Sequence, residues 1–335
     1  MIRHVLLRTC FFDLILGYLP YVMNRTSIIC FGILLLLLVR GVSVSVGQTI
    51  NATSNTGWTA WLSGAGNMLD PENDQQTGQG QDDFAGDATT AALQSQAGEA
   101  SFDAGVDYLF LRARFNDYSA DNKWGNGGNW GTGMDIDGDG DLDLIMMFSE
   151  GSGNVKNRTH TIQFGAPGSG ANDGPSTTTW TFPTQTAISL TVGQTYNVQN
   201  ASTSDSVQID GDDDAWLTFG LSFSQLETAI QTYAVGDVGD ENEFANYSLT
   251  YESRIAFVAF TSTQDNALNQ DLGGVDGGTS SGLSWAELGA ITPPMGPGGF
   301  VPEPGTYVQI GFFLLIGIAA MYRRRTVCKN KTDEN

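Results

Sequence analysis

Cysteine and histidine are almost missing from this sequence, with three and two among 335 residues. Cys10, Cys30 and Cys328 all lie near the ends, so the long middle has no thiol. That excludes a disulfide scaffold, a cysteine nucleophile and thiolate zinc or iron–sulfur sites there. His4 and His160 are the only imidazoles, which nearly excludes a Ser–His–Asp triad or a multi-histidine metal centre. Basic residues are scarce as well. Gln48 to Thr306 holds 34 acids against six bases (Arg112, Arg114, Lys123, Lys156, Arg158, Arg254), and 6 − 34 gives −28, against −22 for the whole chain. An acidic body of this kind repels phosphate backbones, so nucleic acid is not an expected partner. It attracts divalent cations. What is plentiful is glycine, 42 residues, with an apolar share of 41%; that suits a core with many turns.

The two ends read as addresses. Ile28 to Val39 is an apolar run after Met23-Asn24-Arg25, followed by small residues from Gly41 to Ser45. This is the pattern of a secretory leader over residues 1–47, with a start at Met23 as one reading and an N-terminal anchor as another. The far end reads Val301-Pro302-Glu303-Pro304-Gly305-Thr306, then apolar residues from Tyr307 to Tyr322, then Arg323-Arg324-Arg325. A helix over that apolar stretch reaches ~24 Å, close to a hydrocarbon core of ~30 Å once the arginines snorkel. The basic cluster puts residues 326–335 in the cytoplasm and the acidic body outside.

This three-part tail resembles the PEP-CTERM sorting signal of Gram-negative bacteria. The resemblance covers residues 301–325 and implies handling by an exosortase at the inner membrane. Pro302, Glu303 and Pro304 would be the recognition residues. Release to the cell surface or an exopolysaccharide-containing extracellular matrix would follow.

Residues 48–291 read as strands and turns, with 292–300 a linker. VDYLFLRARF over 106–115 alternates with period two, as a half-buried strand does. Further strands are expected at 142–148, 159–164, 177–182, 187–191, 216–223 and 248–261, separated by Gly, Asn, Asp and Ser clusters. That pattern predicts a mainly β fold, an antiparallel jelly-roll-like sandwich. Short helices are expected after capping boxes at Ser224–Glu227 and Ser284–Glu287. Residues 64–90 read as a long loop.

The sharpest chemistry in the body is Asp135-Ile136-Asp137-Gly138-Asp139-Gly140-Asp141-Leu142-Asp143. Alternating carboxylates turn inward as such a loop curls, and Gly140 permits the sharp turn. Asp135, Asp137, Asp139 and Asp143 are expected to supply carboxylate oxygens and Asp141 its carbonyl. Position 12 is Met146 rather than a bidentate glutamate, and LDLIMMF reads as a strand. The loop resembles the DxDxDG calcium loops of β-rich surface proteins, including FG-GAP-type and dockerin-like repeats, which implies structural calcium. A second acidic run, Asp205 and Asp210–Asp214, lacks the matching glycine and reads as a hairpin loop.

Trp124 and Trp130, in a glycine-rich stretch, are the candidates for stacking on a sugar ring. The order of segments over about residues 100–275 is similar to DOMON-like and related carbohydrate-binding modules, which implies a β-sandwich and no particular ligand residues. Carboxylate pairs suitable for glycoside hydrolysis can be drawn in many ways and none stands out. The expectation is a non-enzymatic, exported, calcium-binding surface protein. The alternatives are a carbohydrate-binding module and, behind it, a polysaccharide hydrolase.

Overall fold

The chain alternates apolar residues at period two in several places, and each such run pairs with another. The computed structural model describes residues 49–63, 66–76, 82–87, 90–116, 129–150, 159–201, 214–236, 243–264 and 266–296. The leader, the sorting motif Pro302–Pro304, the flanking Arg323–Arg325, the linker end and Trp124 lie outside the described residues. Among the described residues no helix is long and apolar enough to cross a membrane.

The strands are β1 (Thr59–Ala60), β2 (Leu62–Ser63), β3 (Gly66–Asn67), β4 (Leu93–Ala100), β5 (Asp103–Phe115), β6 (Asn129–Asp135), β7 (Leu144–Glu150), β8 (His160–Pro167), β9 (Trp180–Thr181), β10 (Ile188–Ser189), β11 (Tyr196–Asn200), β12 (Ala215–Ser222) and β13 (Ala256–Ser262). They form two antiparallel sheets, β1-β4-β5-β12-β11 and β10-β8-β7-β6-β13. β9 adds to β8, and β2 pairs with β3 alone.

Between the sheets lies one apolar core. Leu109, Leu111, Ala113 and Phe115 of β5 and Leu217, Phe219 and Leu221 of β12 face Trp130 and Met134 of β6, Leu144, Met146 and Phe148 of β7, and Phe257 and Ala259 of β13. The alternate residues of β7 and β13, Ile145, Met147, Val258 and Phe260, face the other way. Trp180, Leu272, Trp285 and Ala290 cover them. β6, β7 and β13 are therefore buried on both faces, which is why LIMM and AFVAF read as unbroken apolar runs. Chain after β13 also packs along that strand's free side. Phe260 bridges to Leu272, Val258 to Ile291 and Ile255 to Met295.

Two helices are attached. Helix α1 (Phe223–Tyr233) follows β12 directly, and its N-cap is Ser222 in a capping box with Gln225. The box expected at Ser224–Glu227 is thus two residues too late, because β12 ends sooner than its apolar run suggests. Glu227 bonds instead to the Leu249 N–H at 2.8 Å. Helix α2 (Trp285–Leu288) has the expected Ser284–Glu287 box and ends at Gly289 in the left-handed region.

Asn129–Asp135, directly before the acidic loop and holding Trp130, is β6, a central strand with every residue buried. A Cβ on Gly131 would lie 2.1 Å from the Phe260 ring, and one on Gly133 would lie 2.5 Å from Leu142. Glycine stands there because other side chains lie flat on the strand. The alternate residue Trp130 points into the core.

Candidate metal centre

The predicted acidic loop is the turn between β6 and β7. Its base is held as a continuation of that ladder, the Asp143 N–H donating to the Met134 carbonyl at 2.8 Å. The carboxylates then tie the loop to its own backbone. Asp143 Oδ2 accepts from the Ile136 N–H at 2.6 Å. Asp135 accepts from the Gly138 N–H at 2.6 Å and the Gly140 N–H at 3.1 Å. Gly138 and Gly140 have φ of 89° and 100°, a conformation that a side chain would strain.

This curl brings oxygens of Asp135, Asp137 and Asp143 within 4.8 Å of one another, a set that could hold a metal ion. Asp135 and Asp143 are buried and Asp137 is exposed, so the site faces solvent on one side. Asp139 stands outside this trio; its Oδ1 accepts from the Asp141 N–H at 2.8 Å. Asp141 is half-buried and also outside it. Burial pushes the Asp143 carboxyl up to about 8, and Asp137, Asp135 and Asp139 nearby add to the rise. Burial likewise pushes Asp135 up to about 6.

These shifts carry a pH prediction for the cation-stripped protein. Unfolded, an aspartate loses its proton near pH ~4. Folded, Asp135 and Asp143 keep theirs to about 6 and about 8. The folded state therefore binds more protons between those limits, and stability falls as pH rises through them. The melting temperature of the stripped chain should be lower at pH 8 than at pH 5. Millimolar calcium should remove most of the difference, since a cation replaces the protons. Equal melting temperatures at the two pH values would refute this reading.

A second carboxylate group was not expected from sequence. Asp70, Asp74 and Asp271 also bring oxygens within 4.8 Å of one another. Asp70 lies beside β3 in an isolated bridge to Gly86. Asp271 lies alongside the end of β13, its carbonyl accepting from the Thr261 N–H at 3.0 Å. Main-chain groups fix each carboxylate. The Gly274 N–H donates to Asp70, the Gly277 N–H to Asp74 at 2.6 Å, and the Phe84 and Leu272 N–H groups to Asp271 at 2.7 Å each. Asp83 joins them, accepting from the Asn73 N–H at 2.7 Å and from Asn116 Nδ2 at 3.0 Å. Burial, with mutual repulsion, holds Asp70 and Asp271 well above the usual carboxylate range. The local alternation Asp70, Glu72, Asp74 was a visible signal, but Asp271 lies some two hundred residues away and only the fold joins them.

The other candidates fare differently. Trp130 is fully buried, with its ring 4.6 Å from Phe219 and 5.9 Å from Phe115. It cannot stack on an external sugar, which corrects that expectation; period two in β6 turns it inward. Asp205 and Asp210–Asp213 lie outside the described residues. Asp214 is no loop carboxylate: it is buried in an ion pair with Arg114 at 2.6 Å. His160 is buried and stacks on Tyr196 at 3.7 Å. Trp58 and Trp216 clamp the Arg112 guanidinium at 4.3 and 4.2 Å. Comparison of the chain with protein families, with curated proteins and with solved structures finds no match.

Proposed function

We propose that the chain is an exported, non-enzymatic surface or matrix protein whose jelly-roll-like sandwich is held by structural calcium. The observation that supports the calcium reading is the convergence of Asp135, Asp137 and Asp143 at the β6–β7 turn. An all-oxygen set with no sulfur or nitrogen ligand favours a hard cation. The sorting part rests on the PEP-CTERM-like tail, residues 301–325. It implies an exosortase and the inner membrane as transient partners, and exopolysaccharide as the surroundings after release. A glycan-binding reading loses Trp130 to the core.

Calcium that binds only the folded state stabilises it by RT ln(1 + [L]/Kd). Extracellular sites often bind at ~0.1–1 mM, so 1 mM calcium would add about 0.4–1.4 kcal/mol through this loop. A domain of this size would gain a few degrees in melting temperature. Asp137→Ala should remove that gain while leaving the calcium-free melting temperature nearly unchanged, because Asp137 is exposed. An undiminished gain in the variant would exclude the loop as a site. For sorting, the expected result of Pro302→Ala with Pro304→Ala is a precursor retained in the inner-membrane fraction. Normal maturation of that variant would overturn the exosortase reading.

A further inference from the structure

The Asp70–Asp74–Asp83–Asp271 group differs from the loop in depth and in its unanswered oxygens. Asp70, Asp83, Asn116 and Asp271 are each at most 1% exposed. The main-chain donors satisfy only part of this group. Asp70 Oδ1, Asp74 Oδ1 and Asp83 Oδ1 are buried and accept no hydrogen bond. So is the amide oxygen of Asn116, although its Nδ2 is anchored on Asp83. An unpartnered buried acceptor is costly, and more so if charged. Asp70, Asp74 and Asp271 bring oxygens within 4.8 Å of one another, and Asp83, with Asn116 bonded to it, adjoins Asp74; so many buried acceptors without donors imply a shared partner.

That partner is not a described basic side chain. Among the described residues the Lys and Arg are Arg112, Arg114 and Arg254. Arg112 sits between two tryptophans, Arg114 bonds Asp214, and Arg254 bonds the Pro294 carbonyl. We propose that Asp70, Asp74, Asp83, Asp271 and Asn116 form a second, buried calcium site. Carboxylate and amide oxygens in this number suit calcium, which takes six to eight such ligands. Magnesium demands a small octahedron and keeps several of its waters, and the burial of this group disfavours those waters. The site also closes the fold. It ties residues 70–74 and 83 to 271, joining chain on either side of the sandwich strands. Because its ligands are pre-set by main-chain bonds and shielded from water, it should bind at least tenfold more tightly than the loop.

The assignment is independent of the sorting and loop readings, and calcium counting separates them. The full chain, stripped of cations and dialysed against micromolar calcium, is analysed by mass spectrometry of the metal. Asp137→Ala should still retain one tight calcium, and Asp271→Asn should lose it. With calcium present Asp271→Asn should melt well below the wild type. After stripping the gap should shrink, since a repelling carboxylate has gone; asparagine can still accept only one of the Phe84 and Leu272 N–H bonds. If Asp271→Asn fails to fold, the count in Asp137→Ala still decides, because that variant leaves the buried group intact. No tight calcium in Asp137→Ala would overturn the site, as would Asp271→Asn retaining the wild-type count. Displacement of the tight ion by an equal concentration of magnesium would overturn its assignment as calcium.

Discussion

Arg114→Met should destabilise the domain by about 3–5 kcal/mol, the usual cost of removing one partner of a buried ion pair. Arg114 and Asp214 are both fully buried. The guanidinium donates through Nε at 3.0 Å and through Nη2 at 2.6 Å to the same carboxylate oxygen. Methionine fills much of the same volume, so packing is largely spared. It strips the Asp214 carboxylate of its counter-charge in a place that water does not reach. The paired change Arg114→Met with Asp214→Leu should recover most of the loss, because two apolar groups replace two desolvated charges. Urea unfolding would measure both. Raising salt should barely alter the single-variant loss, since buried pairs are poorly screened. A loss under about 1 kcal/mol would mean that the pair behaves as a surface contact.

Trp130→Ala is expected to be comparably severe, at about 3–5 kcal/mol, the range for deleting a large aromatic from a core. The indole is fully buried and meets Phe84 at 6.4 Å edge-on, as well as Phe115 and Phe219. It therefore joins β5 and β12 of one sheet to β6 of the other, and alanine would leave a cavity between the layers. Thermal unfolding of the variant should show a large drop in melting temperature. A drop of only a degree or two would place the ring at the surface, where it could again meet a sugar.

How much was visible beforehand varies with how local the signal is. The alternation of VDYLFLRARF marks β5, and the capping box at Ser284 marks α2, because both patterns are complete within a few residues. β6 was hidden. Its Gly131 and Gly133 look like loop glycines, and only Phe260 and Leu142, from other segments, explain them. β4 was hidden for a related reason: its polar Gln94 and Gln96 break the apolar pattern, and their partners come from other segments. Gln94 accepts from Arg112 at 2.8 Å, and Gln96 donates to the Thr56 carbonyl at 2.9 Å. The same division holds for the acidic sites. The loop from Asp135 to Asp143 is contiguous, so its spacing announces it. The group around Asp271 is assembled by strand order, and no spacing rule reaches across the chain to Asp70. Asp214 sat in an acidic run and looked solvated. Its true partner is set by the pairing of β5 with β12, in which Ala215 lies opposite Phe115.

The chain packed along β13 bears on how copies of this protein meet. An unpaired strand edge is a template on which a second copy can add a strand. The six-stranded sheet ends at β10 on one side, which is only two residues long. On the other side it ends at β13, where Ile255 and Met295 exchange N–H···O bonds at 3.1 and 3.0 Å and Thr292 donates to the Phe257 carbonyl at 2.9 Å. One border is thus made of short pieces, β10 and β9 against β8, and the other is already occupied by the chain itself. Among the described residues, the β13 border of this sheet is therefore closed to strand addition by a second copy.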